Sequence, residues 1–277
     1  MEALIDYFST IPSSHRSAIL VSGLVFFWMW ESAVPLFRFD YTKWKHALIN
    51  IFFTLTTVIV NFALAFSLLL ASDWVISKQF GLFFVLPEMH LLLYILIGLM
   101  FLDLISAWFA HWIQHKTPWM WKFHLIHHTD THIDTTTANR HHPGESVIRF
   151  FFTLLAVILI GAPLWLVLLY QSLSVVLSQF NHANISLPKK LDTAISWFIV
   201  SPDMHKVHHH FEMPYTDTNY GNIFSVWDRL FGTFSTLDRD KLRYGVDTHL
   251  EEEYVSDIPT MLKIPFMPKK ERSQNQD

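Results

Sequence analysis

The sequence predicts an all-α integral membrane protein, a helical bundle with three long spans, a hairpin of shorter helices and a cytoplasmic helical cap. Composition is the first reason. Of the 277 residues, 51% are hydrophobic and only 16% are charged, whereas soluble domains carry about 25% charged residues. Hydrophobic runs are the second reason, since several reach the roughly 20 residues that a helix needs to cross a bilayer.

The three long spans precede the hairpin. We expect them at 17–37, 47–71 and 91–112. A fourth apolar stretch, 147–180, is interrupted by Gly161, Ala162 and Pro163. Proline removes a helix donor and clashes with the preceding turn. We therefore expect this stretch to form two shorter helices that leave the membrane on the side they entered.

Loop charges predict the orientation of the spans. Three basic residues lie between the first two spans and four follow the third, but the loop between the second and third has only Lys78. The excess of basic residues in cytoplasmic loops places 38–46 and the chain after about residue 112 in the cytoplasm. The expected location is a bacterial inner membrane or the endoplasmic reticulum membrane. The acidic start, without a basic segment, indicates no cleaved signal peptide.

Charge and cysteine content exclude several classes of protein. The net charge of −4 offers no basic surface for nucleic acid. The chain has no cysteine, so it cannot form disulfides, zinc ribbons or cysteine-ligated iron–sulfur clusters. It also lacks the Gly-rich turn that binds nicotinamide or flavin cofactors.

Histidines are concentrated in one part of the chain. Of 17 histidines, 13 lie between His111 and His210. Three groups have helical spacing, with histidines at i and i+4 or at i, i+3 and i+4, so that each group lies on one face of a helix. These groups are HWIQH (His111, His115), HLIHH (His124, His127, His128) and HKVHHH (His205, His208, His209).

This pattern predicts metal binding. Calcium and magnesium prefer oxygen ligands, whereas imidazole suits iron, copper, nickel or zinc. A structural zinc site needs only four ligands, so eight histidines imply two metal ions. A zinc peptidase of the His-Glu-x-x-His type is excluded at the first group, because Trp112 stands where the glutamate is required. A metal transporter would place its ligands near the bilayer midplane, whereas these lie at the ends of the spans.

Two neighbouring residues need separate interpretation. Asp103 is an ionisable residue in a predicted span, and it either accepts the second ring proton of His111 or makes an interhelical hydrogen bond. For the third group, Ser201 and Pro202 mark a helix start that we expect to continue through Phe211. His210 would then point roughly 140° away from His205 and remain outside the metal site.

The histidine groups, together with other motifs, resemble the fatty acid hydroxylase / sterol desaturase superfamily of membrane di-iron oxygenases. The resemblance covers 95–236, which we take as the catalytic domain between N-terminal transmembrane helices, 1–94, and a cytoplasmic tail, 237–277. The motifs that carry it are HWIQH, FHLIHH, RHHPGE, FNHAN, PDMHKVHHH and NYGNIFSVWDRLFGT.

The resemblance implies two iron ions held by the eight histidines of the three groups. It also implies further ligands between the second and third groups, for which His142 and His182 are the candidates, whereas His132 and His141 fit the pattern less well and are taken as loop residues. Asp103 and Glu145, the last residue of RHHPGE, are the candidate catalytic residues.

The implied activity is O2-dependent hydroxylation of a lipid, fatty acyl chain or sterol that enters from the bilayer. Electrons would come from a separate reductase with a ferredoxin or cytochrome. Desaturation, ether cleavage and sterol demethylation share this chemistry and remain open. A zinc-dependent membrane hydrolase acting on a lipid and a metal-storage or transport protein are the alternatives from other classes. The sequence does not determine the oligomeric state.

Overall fold

A computed structural model describes residues 2–268, and within this range the chain is helical and contains no β-strand. This confirms the predicted all-α class. The helices are α1 (Glu2–Ser9), α2 (Ser13–Ala33), α3 (Lys43–Lys78), α4 (Leu82–Val85), α5 (Leu91–Asp103), α6 (Ala110–Lys116), α7 (Pro118–His128), α8 (Pro143–Ile160), α9 (Leu164–His182), α10 (Lys189–Ile195), α11 (Pro202–His208), α12 (Val226–Leu230), α13 (Glu252–Ser256) and α14 (Ile258–Lys263). A π-helical segment, Leu104–Phe109, joins α5 to α6.

Four helical segments of the described chain are long and apolar enough to cross a membrane. They are Lys43–Val85, Leu91–Lys116, Pro143–Ile160 and Leu164–His182. The expected first span is a helix, α2, but it is not among these four. Its polar ends explain this difference, because they include Arg16 near the start and Glu31, which is buried and pairs with Lys43 at 2.9 Å.

Helices α8 and α9 form a hairpin, and Gly161 ends its first arm. Gly161 has a φ of +75°, and a Cβ at this position would lie 2.5 Å from the carbonyl oxygen of Phe80. The tip of the hairpin therefore packs tightly against the end of α3, next to Gly81. At 18 and 19 residues, both arms are long enough to span a membrane. They are therefore longer than the short helices expected from the sequence.

Both ends of the hairpin lie beside the histidine groups. Helix α8 begins at Pro143, directly after His141 and His142, and α9 ends at His182, whose Nε2 atom is 3.2 Å from that of His127. The break in the apolar stretch thus returns the chain to the end of the bundle from which it came. This places α7, α11 and the ends of α6 and α9 at one end of the bundle.

The described part of the C-terminal region, 237–268, packs against that end. Met261 and Ile264 are buried beside Phe53 and Ile126, and Leu242 packs in a separate cluster with Val207. The side chain of Lys122 donates to the carbonyl of Met267 at 2.8 Å. This segment, expected as a cytoplasmic tail, therefore packs against the helical cap. Residues 269–277 of the tail lie outside the described range.

The hairpin arrangement predicts the sidedness of three exposed lysines. Lys45 and Lys189 flank the bundle end that carries the histidines, and Lys78 ends α3 at the opposite end. We expect single cysteines at 45 and 189 to react from one side of the membrane with an impermeant thiol reagent, and a cysteine at 78 to react from the other.

The native chain has no cysteine, so any labelling reports the introduced residue. Reaction of the 45 and 189 variants from opposite sides would contradict the hairpin.

Candidate metal centre

The histidine groups converge into two clusters at one end of the bundle. Within each cluster, ligand atoms from all members lie within 4.8 Å of one another. The five-histidine cluster contains His111, His115, His124, His128 and His208, and the four-histidine cluster contains His127, His182, His205 and His209. Nine of the ten predicted ligands, including His182 from FNHAN, lie in these two clusters, and His142 does not.

Each histidine triad is divided between the clusters. From α7, His124 and His128 enter the five-histidine cluster and His127 enters the other. The division is reversed at α11, where His208 enters the five-histidine cluster and His205 and His209 enter the other. On both helices the i and i+4 residues enter the same cluster and the i+3 residue enters the other. Both clusters therefore contain ligand candidates from α7 and from α11.

Ring nitrogens within the clusters lie at hydrogen-bond distance from one another, but the outer contacts of the rings leave no proton between them. The Nε2 atoms of His111 and His124 are 2.9 Å apart. The Nδ1 atom of His111 faces the Tyr220 carbonyl and that of His124 faces the Glu145 carboxylate, at 2.9 and 2.7 Å. Because these oxygens only accept, each Nδ1 carries the proton and each Nε2 presents a lone pair. Two opposed lone pairs at this distance repel each other, and a metal ion between them would relieve the repulsion.

The four-histidine cluster has the same character. The Nε2 atoms of His127, His205 and His209 lie 3.2, 3.1 and 3.3 Å from the Nε2 atom of His182. The Nδ1 atom of His182 donates to the Ser178 carbonyl at 2.8 Å, so its Nε2 atom has one lone pair for three neighbours. Separations near 3 Å match the spacing of nitrogens that share a metal at about 2.1 Å. The residues therefore fit a metal ion in each cluster.

Burial keeps the cap histidines uncharged. Burial, together with neighbouring imidazoles, lowers the pKa well below the usual histidine value for His127, His128, His205, His208 and His209. A neutral imidazole retains the lone pair that a metal requires. These side chains are therefore ready to bind metal at neutral pH without first losing a proton.

Acceptors on the far side of the rings orient several of these histidines. His115 places Nδ1 3.2 Å from the Asp217 carboxylate, and its Nε2 atom is buried with no hydrogen-bond partner among residues 2–268. The Nδ1 atom of His208 lies 2.7 Å from the Thr218 carbonyl. Such contacts fix which nitrogen is protonated and direct the other toward the metal. Asp217 was not a predicted site residue, because it is 102 positions from His115 along the chain.

Asp103 does not contact His111. Its two carboxylate oxygens accept the backbone N–H groups of Ile223 and Phe224, each at 3.1 Å. Asp103 therefore hydrogen-bonds to a loop, which is neither the contact with His111 nor the interhelical hydrogen bond that the sequence suggested. Asp103 holds the loop that brings the Tyr220 carbonyl to His111, and the π-helical segment between Asp103 and His111 changes the register that the sequence implied.

The RHHPGE motif places its histidines differently from the prediction. His142 caps α8, since its Nδ1 atom accepts from the Gly144 N–H at 2.9 Å, and its Nε2 atom lies 3.3 Å from the Leu262 carbonyl. It belongs to neither cluster. His141, taken as a loop residue, instead groups with His124 and Glu145, and its ring centroid is 4.8 Å from that of His127. Glu145 is fully buried and lies behind the five-histidine cluster.

The third histidine group ends its helix earlier than expected. Ser201 caps α11 and accepts the Met204 N–H as predicted, but the helix stops at His208 instead of continuing through Phe211. His209 is the residue after the helix and still reaches its cluster. His210 lies outside both clusters, and its Nδ1 atom accepts the N–H of Arg243 at 3.2 Å.

A second buried network supports α7. Arg140 has no exposed surface, and it donates to the Ile126 carbonyl at 3.0 Å and to the Val255 carbonyl at 2.7 Å. Burial alone would raise the pKa of Asp130, but the charges of His46 and Arg140 lower it well below its usual value. His46 contacts both oxygens of Asp130 at 2.9 Å. This network fixes the last turn of the helix that carries three cluster histidines.

Fold and site together define an integral membrane protein with two convergent sets of buried histidines. The fatty acid hydroxylase model matches residues 95–233, which include all nine cluster histidines. The chain belongs to the fatty acid hydroxylase family.

Several curated relatives are lipid oxygenases. The chain is 27% identical to an ornithine lipid hydroxylase from Rhizobium tropici over 48% of its length and 40% of the relative. It is 31% identical to an alkylglycerol monooxygenase from Danio rerio, over 53% of the chain and 31% of the relative. It is 26% identical to the cholesterol 25-hydroxylase of Homo sapiens over 54% of each. The alignments thus span about half or less of each of these relatives. No solved structure matches the chain.

Removal of Arg140 should destabilise the cap. Arg140→Gln leaves the buried carboxylate of Asp130 without its nearby guanidinium, and breaking a buried ion pair costs about 3–5 kcal/mol. We expect a lower midpoint for thermal unfolding of the detergent-purified protein, with loss of bound metal at lower temperature. Arg38→Gln, which removes an exposed arginine, is the matched control. Equal midpoints for the two variants would show that the Arg140 network does not support the cap.

Proposed function

We propose that this protein is a membrane-bound di-iron oxygenase that uses O2 and external electrons to hydroxylate a C–H bond of a lipid. The observation that carries the proposal is the convergence of nine buried histidines into sets of five and four, with Nε2 lone pairs opposed at about 3 Å. Family membership and relatives that act on lipids and sterols support the same reaction class.

Iron is the metal that suits both the ligands and the reaction class. Nitrogen ligands bind iron, copper, nickel and zinc. Zinc has no redox chemistry, whereas the named relatives are hydroxylases and monooxygenases. When bound, two ferrous ions would supply the electrons and the coordination sites that O2 activation requires. We propose the nine cluster histidines as the ligands, with His141 as an additional candidate in place of His142.

The protein's own groups orient these ligands and keep water out. Glu145 accepts from the Nδ1 atom of His124, and we propose it as a positioning residue and not as an acid or base that acts on the substrate. Asp217 and the carbonyls of Tyr220 and Thr218 hold other rings in the tautomer that binds metal. Asp103 acts through the loop it anchors.

A lipid reaches such a site from the bilayer. The cavity next to the clusters is lined by His141 at one end and by Phe62 at the surface of α3, where Phe62 is 83% exposed. An exposed phenylalanine on a membrane-spanning helix faces acyl chains. Electrons would come from a separate donor, because the sequence contains no cysteine and no Gly-rich nucleotide-binding turn.

Metal content tests the two clusters separately. We expect two iron ions per chain in the purified protein. His208→Ala removes a ligand of the five-histidine cluster and His209→Ala one of the four-histidine cluster, so each variant should lose about one ion. His210→Ala and His142→Ala should retain both, since neither residue lies in a cluster. One ion per chain in the unaltered protein, or loss in His142→Ala comparable to that in His209→Ala, would refute this assignment.

Turnover tests the reaction class. The iron-loaded chain in vesicles of extracted phospholipid, supplied with a chemical reductant, should consume O2 and yield lipids that have gained one oxygen atom by mass spectrometry. The His208→Ala variant should do neither. Lipid cleavage without O2 uptake by the zinc-loaded protein would instead identify a hydrolase.

A further inference from the structure

A cavity of about 420 Å³ adjoins the histidine clusters, between α2, α3, α8 and α9. Its volume lies within the range of small-molecule binding sites. One part of the lining is apolar, with Leu20, Val58 and Phe62, and another carries hydroxyl and amide groups, including Asn61 and Ser174. The cavity is thus amphipathic and suits a molecule with both an alkyl chain and a polar group.

The charges in this cavity have one sign. The lining includes Arg16 and Arg149 but no aspartate or glutamate among the described residues. Arg16 hydrogen-bonds only to the amide oxygen of Gln171, at 3.3 Å, and has no carboxylate within ion-pair distance in residues 2–268. Two guanidinium groups without an acid in the lining create a positive potential, which favours an anionic ligand.

Arg149 lies at the end of the cavity nearest the histidines. It is one turn along α8 from Glu145, and the nearest oxygen of that carboxylate is 3.9 Å away. The same oxygen is 2.7 Å from Nδ1 of His124 and 3.0 Å from Nδ1 of His141, and both contacts are shorter than the one with Arg149. The guanidinium of Arg149 lines the cavity, makes no hydrogen bond within residues 2–268 and belongs to a side chain that is 28% exposed, so its donors are available to a ligand. An arginine within a membrane helix is itself a mark of a functional site.

We propose that the substrate is a lipid with an anionic group, phosphate or carboxylate, that Arg149 binds at the end of the cavity nearest the clusters. The alkyl chain then lies along Val58 and Phe62 toward the bilayer. The ligand is a substrate only if the protein has the proposed function, so the proposal rests on that function. Binding of the ligand can nevertheless be measured without turnover. The planar guanidinium forms paired hydrogen bonds with either oxyanion, and an uncharged lipid lacks this interaction.

The test compares three probes with the same alkyl chain: hexadecyl phosphate, palmitate and hexadecanol. Equilibrium binding of each to the full-length protein is measured in neutral detergent without reductant. We expect at least one anionic probe to bind about tenfold more tightly than hexadecanol, equivalent to about 1.4 kcal/mol. Preference for hexadecyl phosphate identifies a phosphate headgroup, and preference for palmitate identifies a fatty-acid carboxylate.

Variants assign the preference to Arg149. Arg149→Gln should remove the difference between anionic probes and hexadecanol, Arg149→Lys should retain part of it, and Lys189→Gln, which removes a lysine that is 81% exposed, should retain all of it. Metal content of each variant establishes that the cap is intact.

Two results would overturn the inference: equal binding of all three probes by the unaltered protein, or an undiminished preference in Arg149→Gln with normal metal content. If the unaltered protein binds anionic probes selectively but performs no O2-dependent reaction, the site stands and the proposed function fails. If it oxidises lipids without selective binding, only the anionic site is refuted.

Discussion

The structure depends on the burial of nine imidazoles whose lone pairs converge in two places. Polar groups removed from water are costly unless they are paired, and opposed Nε2 atoms near 3 Å cannot pair with each other when both carry lone pairs. A metal ion in each cluster would remove this conflict. The surrounding helices, the loop and the C-terminal segment form the framework that holds the rings in place, since the rings do not hydrogen-bond to one another.

The segment from Asp217 to Asp228, a loop that ends in α12, supports three of the cluster histidines. Its side chain at 217 and its carbonyls at 218 and 220 face ring nitrogens of three histidines. The loop is itself fixed, because Asp228 accepts the N–H groups of Tyr220 and Gly221 and the indole N–H of Trp108. The membrane helix that carries Trp108, the loop and the cluster rings therefore form one continuous hydrogen-bonded unit.

The hairpin brings the remaining parts of the site together. Because α8 leaves the clusters and α9 returns to them, His141 at its start and His182 at its end face the same ring, that of His127. The same two helices enclose the cavity with α2 and α3. The turn at Gly161 thus has two effects. It brings His182 into the four-histidine cluster, and it positions the cavity next to the clusters.

The sequence alone determined the membrane class, the break at Gly161–Pro163 and the histidine groups that converge in the fold, since hydropathy, backbone restriction and helical spacing are local properties. The sequence could not determine how the histidine triads of α7 and α11 divide between the two clusters. On a helix, residues i and i+4 are roughly 40° apart, but i+3 is roughly 100° from i+4, so a neighbouring helix can separate them. Packing also placed His141 beside His127 and His142 away from both clusters, and it turned Asp103 toward a distant loop. These outcomes depend on contacts between residues remote in sequence, which only the tertiary structure supplies.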